Sequence, residues 1–210
     1  MKALATALFG LTFSFVSTAS MAAEIMFCKS IDLNSYAPFE EGNTFEGGYG
    51  SANLTWFVKF DKPLGISQVT FEDFQIDTEI DAQMAQKIIN QCDTSKPNCK
   101  PEISPWPDPA EQISVDPEWN LIGTVNYPFE IMHEGGMEPP PFVNHFLVLR
   151  DADGKCIASG SVKLVPNLDL KPTHVRSQSF GTTIKEDAAS SRIKSVGNSP
   201  VKDLFDRFDK

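Results

Sequence analysis

The sequence lacks the short motifs that identify most enzymes and metal-binding domains. No GxSxG nucleophile motif occurs in its 210 residues, and its four cysteines form no CxxC pair of the kind that zinc sites use. The glycine-rich stretch Gly48-Tyr49-Gly50 lacks the third glycine and the following helix of a dinucleotide-binding fingerprint. From motifs alone we therefore predict no catalytic residue and no cofactor.

Positive charge is also scarce. The chain has 18 Lys and Arg against 28 Asp and Glu, so its formal net charge is -10 at pH 7. Such an acidic protein is repelled by nucleic acid and by anionic membrane surfaces. The acidic residues are scattered along the chain, so no polyanionic tail is indicated. We therefore predict that nucleic acid is not a partner.

Long apolar runs are confined to the start of the chain. Lys2 is followed by a mostly apolar run over residues 3–16, and small residues close that run. Ser20-Met21-Ala22 and Met21-Ala22-Ala23 both offer a cleavage site, so residues 1–23 have the layout of a secretory signal peptide. An uncleaved N-terminal anchor is the other interpretation. Since no later segment predicts a transmembrane helix, we expect an exported protein, either periplasmic or secreted.

The four cysteines are few but even in number, which in an exported chain predicts two disulfides. Cys92 and Cys99 bracket the short polar loop CDTSKPNC, whose proline brings its ends together. We therefore pair Cys92 with Cys99. Cys28 and Cys156 would then join the first predicted strand to the last.

Alternating and β-branched patterns predict a mainly β domain over residues 24–166. A helix is predicted around residues 78–92, capped by Asp77 or Thr78, and a long Pro-rich loop follows it over residues 93–119.

In the strand at 66–76 the apolar phase changes near Glu72-Asp73, which suggests a bulge or bend. Pro128 places the strand at 121–132 on a sheet edge or at a bulge. The predicted fold is an antiparallel β-sandwich with one short helix, with a small β-barrel as the alternative. The other predicted strands cover 25–33, 53–60, 142–150 and 155–165.

Residues 167–210 are predicted to form a flexible tail, because they are rich in Ser, Thr, Lys and Gly and poor in large apolar residues. Near the end of this tail, Leu204, Phe205 and Phe208 share one face of a short amphipathic helix. Such a helix either docks on its own domain or contacts a partner.

The stretch IMHEGGMEPPPFVNHF (131–146) contains soft metal ligands. Thioether and imidazole groups suit copper, and the candidate ligands are Met132, His133, Met137 and His145. The favoured alternative is a wide loop between two paired strands, in which His145 packs on the same face as Val143 and Leu147.

Two tryptophans lie in the Pro-rich loop. Trp106 stands between prolines and Trp119 follows Pro117. Each of them either pins the loop to the core or is presented to a partner. Elsewhere in the chain, Glu40, Glu41 and Glu46 share a loop with aromatic residues, as the carboxylates of a glycosidase cleft would.

Together these features favour an exported, disulfide-bonded binding protein that contacts a protein or a surface glycan. A secreted effector, an inhibitor or immunity protein, and an envelope factor all fit this description. Two alternatives remain open. One is a hydrolase that uses scattered carboxylates, and the other is a periplasmic copper-handling protein that uses the 131–146 loop.

Overall fold

A computed structural model describes residues 22–48, 50–106, 110–131, 140–171 and 175–184. Within these ranges the chain forms two facing β-sheets and one helix, and neither sheet closes into a barrel. The predicted β-sandwich is therefore confirmed. In chain order the elements are β1 (Ala23–Glu24), β2 (Met26–Asp32), β3 (Ala37–Glu41), β4 (Thr44–Gly47), β5 (Ser51–Lys59), β6 (Gln68–Ile76), α1 (Ala82–Asn90), β7 (Glu111–Ser114), β8 (Leu121–Glu130), β9 (Val143–Arg150), β10 (Cys156–Pro166) and β11 (Gln178–Thr182).

The first sheet has the strand order β1-β10-β9-β6-β7, and β4 also pairs with β10. The second sheet has the order β11-β8-β5-β2-β3. The chain passes from the first sheet to the second at Ile25. A Cβ on Gly160 would lie 2.4 Å from the carbonyl oxygen of Ile25, so only glycine permits this close crossing. The strands predicted at 142–150 and 155–165 form an antiparallel hairpin, with Leu164 opposite Val143 in the β9–β10 ladder.

The main core lies between the sheets and is formed by every second side chain along the strands. Leu54, Trp56 and Val58 of β5 all enter it, as their period of two predicted. Trp56 stacks on Phe71 of the opposite sheet, with ring centroids 5.0 Å apart. Burying an aromatic ring of this size contributes on the order of 2–3 kcal/mol, so such pairs supply much of the attraction between the two sheets.

A second apolar layer lies on the outer face of the first sheet. Helix α1 covers this face, where Ile88 packs with Phe74, Phe146 and Val148. Strands β6 and β9 are therefore buried on both faces. The β6–β9 register runs without a shift from Thr70 to Ile76, so the bulge predicted near Glu72-Asp73 is wrong. The change of apolar phase instead reflects a strand with two buried faces.

The helix begins later than its sequence suggested. Asp81 is the N-cap residue, and its carboxylate accepts a hydrogen bond of 2.7 Å from the backbone N–H of Met84. Asp77 and Thr78 precede the helix and do not cap it. The backbone oxygen of Thr78 instead accepts a hydrogen bond from the Asn144 side chain, which holds the approach to α1 against β9.

A buried ion pair joins the helix to the first sheet. Arg150 of β9 donates from Nε to Glu72 Oε2 at 2.7 Å, and both side chains are almost fully buried. Its other guanidinium nitrogens donate to the backbone oxygens of Ile88 and Ile89 in the last turn of α1. The other oxygen of Glu72 accepts from the backbone and side chain of Thr94. One ion pair therefore fixes the end of the helix and the loop that follows it.

One predicted disulfide is confirmed and the other is corrected. Cys92 and Cys99 are bonded, with their Cα atoms 5.6 Å apart. Cys28 and Cys156 are free thiols. Cys28 belongs to an apolar cluster on the outer face of the second sheet, whereas Cys156 packs in the layer beneath α1. They cannot meet because the thickness of the whole sandwich separates these two layers.

Five short strands lie where no strand was predicted, and β1 at residues 23–24 is one of them. β3 and β4 lie in the acidic, glycine-containing loop after β2, and β7 lies in the Pro-rich loop. β11 lies inside the predicted flexible tail, where it pairs with residues 121–125 of β8. The prediction of a tail from residue 167 onward is therefore corrected for the described residues up to Ile184. The terminal helix with Leu204, Phe205 and Phe208 lies outside the described residues.

Pro128, which has no backbone N–H to donate, lies in a part of β8 that has a neighbouring strand on one side only. It pairs with Asn53 of β5, and β11 does not extend far enough to pair with this part of β8. The β5–β8 register also shifts between Leu54 and Trp56, and Asn126 in the bulge has φ 54°. Strand β8 lies between β11 and β5, so the predicted sheet edge applies only to its end at Pro128, whereas the predicted bulge is present.

Candidate binding site at one end of the sandwich

Most strands of both sheets either finish or start at one end of the sandwich, which we call the loop end. Strands β2, β4, β6, β8 and β10 finish there, and β5, β9 and β11 start there. The backbone N–H of Asn167 donates to the Gly47 oxygen, and Ile131 donates to the Gly50 oxygen. The connection from β4 of the first sheet to β5 of the second is thereby fixed at both of its ends, to the segments that follow β10 and β8. Connections at one end of a sandwich are a common place for partner binding.

The loop end also carries most of the exposed apolar surface. Among the described residues, seven large hydrophobic side chains are exposed, and six of them lie on strand ends or connections at this end. The seventh, Phe39, lies on the edge strand β3. Scattered single residues of this kind need no explanation, but their concentration at one end does. The six residues are Leu33, Trp106, Val165, Leu168, Leu170 and Val175.

Trp106 joins the two sheets at a place where β6 has no β7 beside it and β8 has no β11 beside it. β7 pairs with β6 only as far as Phe71, and β11 does not reach the last residues of β8. Below those points the backbone N–H of Trp106 donates to the Asp73 carbonyl oxygen, and its indole N–H donates to Glu130 Oε2 at 3.0 Å. The side chain is 38% exposed. Trp106 is therefore both fixed by its hydrogen bonds and partly open to solvent.

Behind Trp106 lies a buried polar network between the sheets. His145 is fully buried, and its Nδ1 lies 2.9 Å from Asp73 Oδ1. Its Nε2 lies 2.9 Å from the backbone oxygen of Glu130. The Tyr127 hydroxyl donates to Asp73 Oδ2 at 3.3 Å. Burial raises the pKa of the Asp73 carboxyl, although the neighbouring His145 and Tyr127 act in the opposite direction.

This network determines what His145 can do chemically. Both ring nitrogens face oxygen atoms, and Phe129 packs edge-on against the ring at 5.1 Å between centroids. The predicted packing of His145 on the face of Val143 and Leu147 is present. To act as a metal ligand or a general base, His145 would first have to break one of these hydrogen bonds.

The other candidate metal ligands, Met132, His133 and Met137, lie outside the described residues. Within the described ranges, no group of three or more His, Cys, Asp or Glu side chains is arranged to hold a metal ion. No helix in the same ranges is long and apolar enough to cross a membrane.

Trp119 lies at the opposite end of the sandwich from Trp106. It packs against the main core, and a Cβ on Gly181 would lie only 2.0 Å from its ring. Its backbone oxygen accepts a hydrogen bond from Leu64. The structure thus separates the two tryptophans, and Trp119 pins its loop to the core.

The three clustered glutamates of the sequence line one shallow cavity of about 450 Å³. Glu40 pairs with Lys29, and Glu46 accepts a hydrogen bond from Asn167. The pKa of Glu41 is raised, first by its partial burial and then by the negative charge of Glu24. Glu40, Glu41 and Glu46 therefore converge, as the glycosidase interpretation required, but Glu40 and Glu46 are already engaged by other side chains.

Sequence reasoning missed Asp73, Tyr127 and Glu130. Asp73 offered a signal, because it shares the inward phase of Val69 and Phe71 in β6. A carboxylate at an inward position between apolar residues predicts a buried polar partner. That partner, His145, lies 72 residues further along the chain, and only the β6–β9 register brings the two together.

Comparison with known proteins adds no assignment. No protein-family model matches the chain, and no curated protein matches its sequence. The class that the fold and chemistry define is a β-sandwich with one disulfide, a composition compatible with export.

Proposed function

We propose that this chain is an exported binding protein and that its loop end contacts a protein partner. The observation that carries the proposal is the concentration of exposed apolar side chains at the loop end, which includes the anchored Trp106. Partly exposed tryptophans held by hydrogen bonds make strong binding anchors, because little side-chain freedom is lost on association. The disulfide and the apparent signal sequence support the exported part of the proposal.

A protein partner fits this surface better than a glycan does. Five of the six exposed side chains at the loop end are aliphatic, and Trp106 supplies the one aromatic ring. Aliphatic groups gain most by packing against apolar protein side chains, whereas a glycan offers mainly hydroxyl groups. The partner would bury this apolar surface.

Site-specific photo-crosslinking tests the proposal. A photoreactive amino acid replaces Leu168, which is 61% exposed at the loop end, and a matched variant carries it at Phe39, which is 52% exposed on β3. Both variants are expressed in the native host and irradiated in its exported fraction. We expect a discrete protein adduct at position 168 that is lost in Trp106→Ala and absent at position 39. Equal adducts at both positions, or none at position 168, would refute the assignment of the loop end.

A hydrolase is the second candidate, and the raised pKa of Glu41 in the cavity shared with Glu46 favours it. A carboxyl with a raised pKa is suited to act as a general acid beside an ionised partner. Oligosaccharide hydrolysis by the mature protein, abolished in Glu41→Gln and retained in the exposed-site control Glu102→Gln, would establish this activity. Absence of turnover over a broad panel of oligosaccharides would exclude it for those substrates.

Copper handling is tested separately. Titration of Cu(I) into wild type and a His133→Ala variant measures whether the 131–146 loop binds the metal, and His145→Gln reports whether the buried ring takes part. Because both nitrogens of His145 already face oxygen atoms, we expect binding to be independent of His145.

A further inference from the structure

The two oxygen partners of His145 constrain where protons can be. A backbone carbonyl oxygen only accepts hydrogen bonds, so Nε2 must carry a proton to donate to Glu130. An ionised Asp73 also only accepts, so Nδ1 must then carry a proton as well. If Asp73 is instead protonated, it donates to Nδ1. In either arrangement one proton lies between Asp73 Oδ1 and His145 Nδ1.

Loss of this proton would leave two acceptors facing each other. With a neutral ring and an ionised carboxylate, either Nδ1 would present a lone pair to Asp73 or Nε2 would present one to the Glu130 oxygen. Each pair of atoms is 2.9 Å apart in the folded protein. Since both partners are buried, water cannot replace the lost hydrogen bond without local opening.

The network forms a closed ring that includes Trp106. Asp73 contacts His145 through its side chain, and His145 contacts the Glu130 backbone. The Glu130 side chain accepts from the Trp106 indole, and the Trp106 backbone donates to the Asp73 carbonyl. Opening any one of these links removes a constraint on the others. The buried proton and the exposed tryptophan are thus two parts of one hydrogen-bonded structure.

We propose that the proton shared by Asp73 and His145 positions Trp106, so that the loop end holds its binding shape only while this proton is bound. Asp73 and His145 act through Glu130, which makes them positioning residues and not contact residues. The inference deepens the proposed function, since loss of the proton would weaken partner binding. Its test, however, needs no partner.

The groups that face the pair set the direction of the pH effect. Tyr127 and Glu130 come from β8, and Glu111 of β7 acts on the Tyr127 hydroxyl. Arg150 and Glu72 pair on the other face of the first sheet, toward α1. Burial raises the pKa of Asp73 above its usual value near 4, so the folded state retains this proton more strongly than an unfolded aspartate does. The stabilisation is therefore complete at low pH and is lost as pH rises.

Nitrogen NMR of the histidine ring tests the proposal. Replacing His133 and His174 by alanine leaves His145 as the single histidine of the chain. We expect Nε2 to carry a proton at neutral pH, because it faces the Glu130 carbonyl oxygen. As pH rises and the shared proton is lost, the ring signal and the Trp106 indole N–H signal, assigned with Trp106→Phe, should change together. An unprotonated Nε2 at neutral pH, or independent behaviour of the two signals, overturns the proposal.

Asp73→Asn supplies the matched variant. The new amide can donate to Nδ1 and accept from Tyr127, so every hydrogen bond is kept without an ionisable proton. We expect the Trp106 signal of this variant to stay constant as pH rises, over the range in which the wild-type signal changes. If the variant does not fold, Tyr127→Phe serves instead. It removes a bond to the carboxylate and should move the wild-type transition to higher pH.

These results are independent of the crosslinking experiment. Coupled ring and indole signals with no adduct at Leu168 would leave the positioning network in place and remove the proposed binding role. An adduct without coupled signals would retain the binding role and remove the proton-dependent positioning.

Discussion

Replacing Arg150 by methionine should destabilise the protein more than any surface charge substitution. The guanidinium donates to Glu72 at 2.7 Å and also to backbone oxygens of Ile88, Ile89 and Gly154. Methionine fills similar volume but donates nothing. The Glu72 carboxylate would then remain buried without its cation, which typically costs about 3–5 kcal/mol.

The assay is equilibrium unfolding in urea, followed by circular dichroism. For the buried pair we expect the free energy of unfolding to fall by about 3–5 kcal/mol with an unchanged slope. The matched surface control is Lys87→Met, which breaks the ion pair between Lys87 and Glu102. The Lys87 side chain is 50% exposed and the Glu102 side chain is 71% exposed. That control should change stability by no more than about 1 kcal/mol.

A double variant separates two effects of Arg150→Met. One is the loss of the ion-pair attraction, and the other is the cost of leaving the Glu72 carboxylate buried without a cation. Glu72→Gln with Arg150→Met removes both charges and leaves an amide oxygen that can still accept from Thr94. We expect it to be more stable than Arg150→Met alone by roughly 1–3 kcal/mol. If Arg150→Met matched the Lys87→Met control, or if the double variant were the less stable of the two, the reasoning about a buried ion pair would be wrong.

Three further predictions follow from other features. Replacing both Cys92 and Cys99 by serine should lower the free energy of unfolding by roughly 2.5 kcal/mol, because the bond closes a loop of about eight residues; urea unfolding measures this. Burial raises the pKa of Cys28 to about 12, so the folded state keeps a proton that the unfolded thiol releases near 8.5. Stability should therefore fall as pH rises from about 8.5 towards 12, and Cys28→Ala should flatten this decline in pH-dependent unfolding. Ala23 pairs with Ala158 and packs on the core, so processing is expected after Ala22, and a mature N-terminus at Glu24 by mass spectrometry would contradict this.

The sequence predicted the regular part of the fold because that part has simple periodicity. Leu54, Trp56 and Val58 alternate with residues of the other face, and the structure uses that alternation directly. The same rule failed at Glu72-Asp73, because α1 buries the second face of β6 and removes the contrast on which alternation depends. Strands of four or five residues, such as β3, β4 and β7, are too short to show a period.

The candidate site was only partly visible in the sequence. Trp106 was recognisable because a tryptophan between prolines is unusual in a loop. His145 was correctly placed among packed residues, but its partners come from β6 and β8 and depend on sheet register. The pairing of Cys28 with Cys156 failed for a related reason. Sequence spacing does not indicate which outer layer of a sandwich a side chain enters.

The crossing at Ile25 also affects when the protein can fold. Ala23 in β1 pairs with Ala158 in β10, while β2 pairs with β3 and β5 in the other sheet. The first described strand therefore completes its sheet only after more than a hundred further residues have been synthesised. Such distant pairings slow folding, because the chain must close long loops before contacts can compensate. A chain that stays unfolded until its last strands are synthesised can still be threaded through a membrane channel, as the proposed export would require.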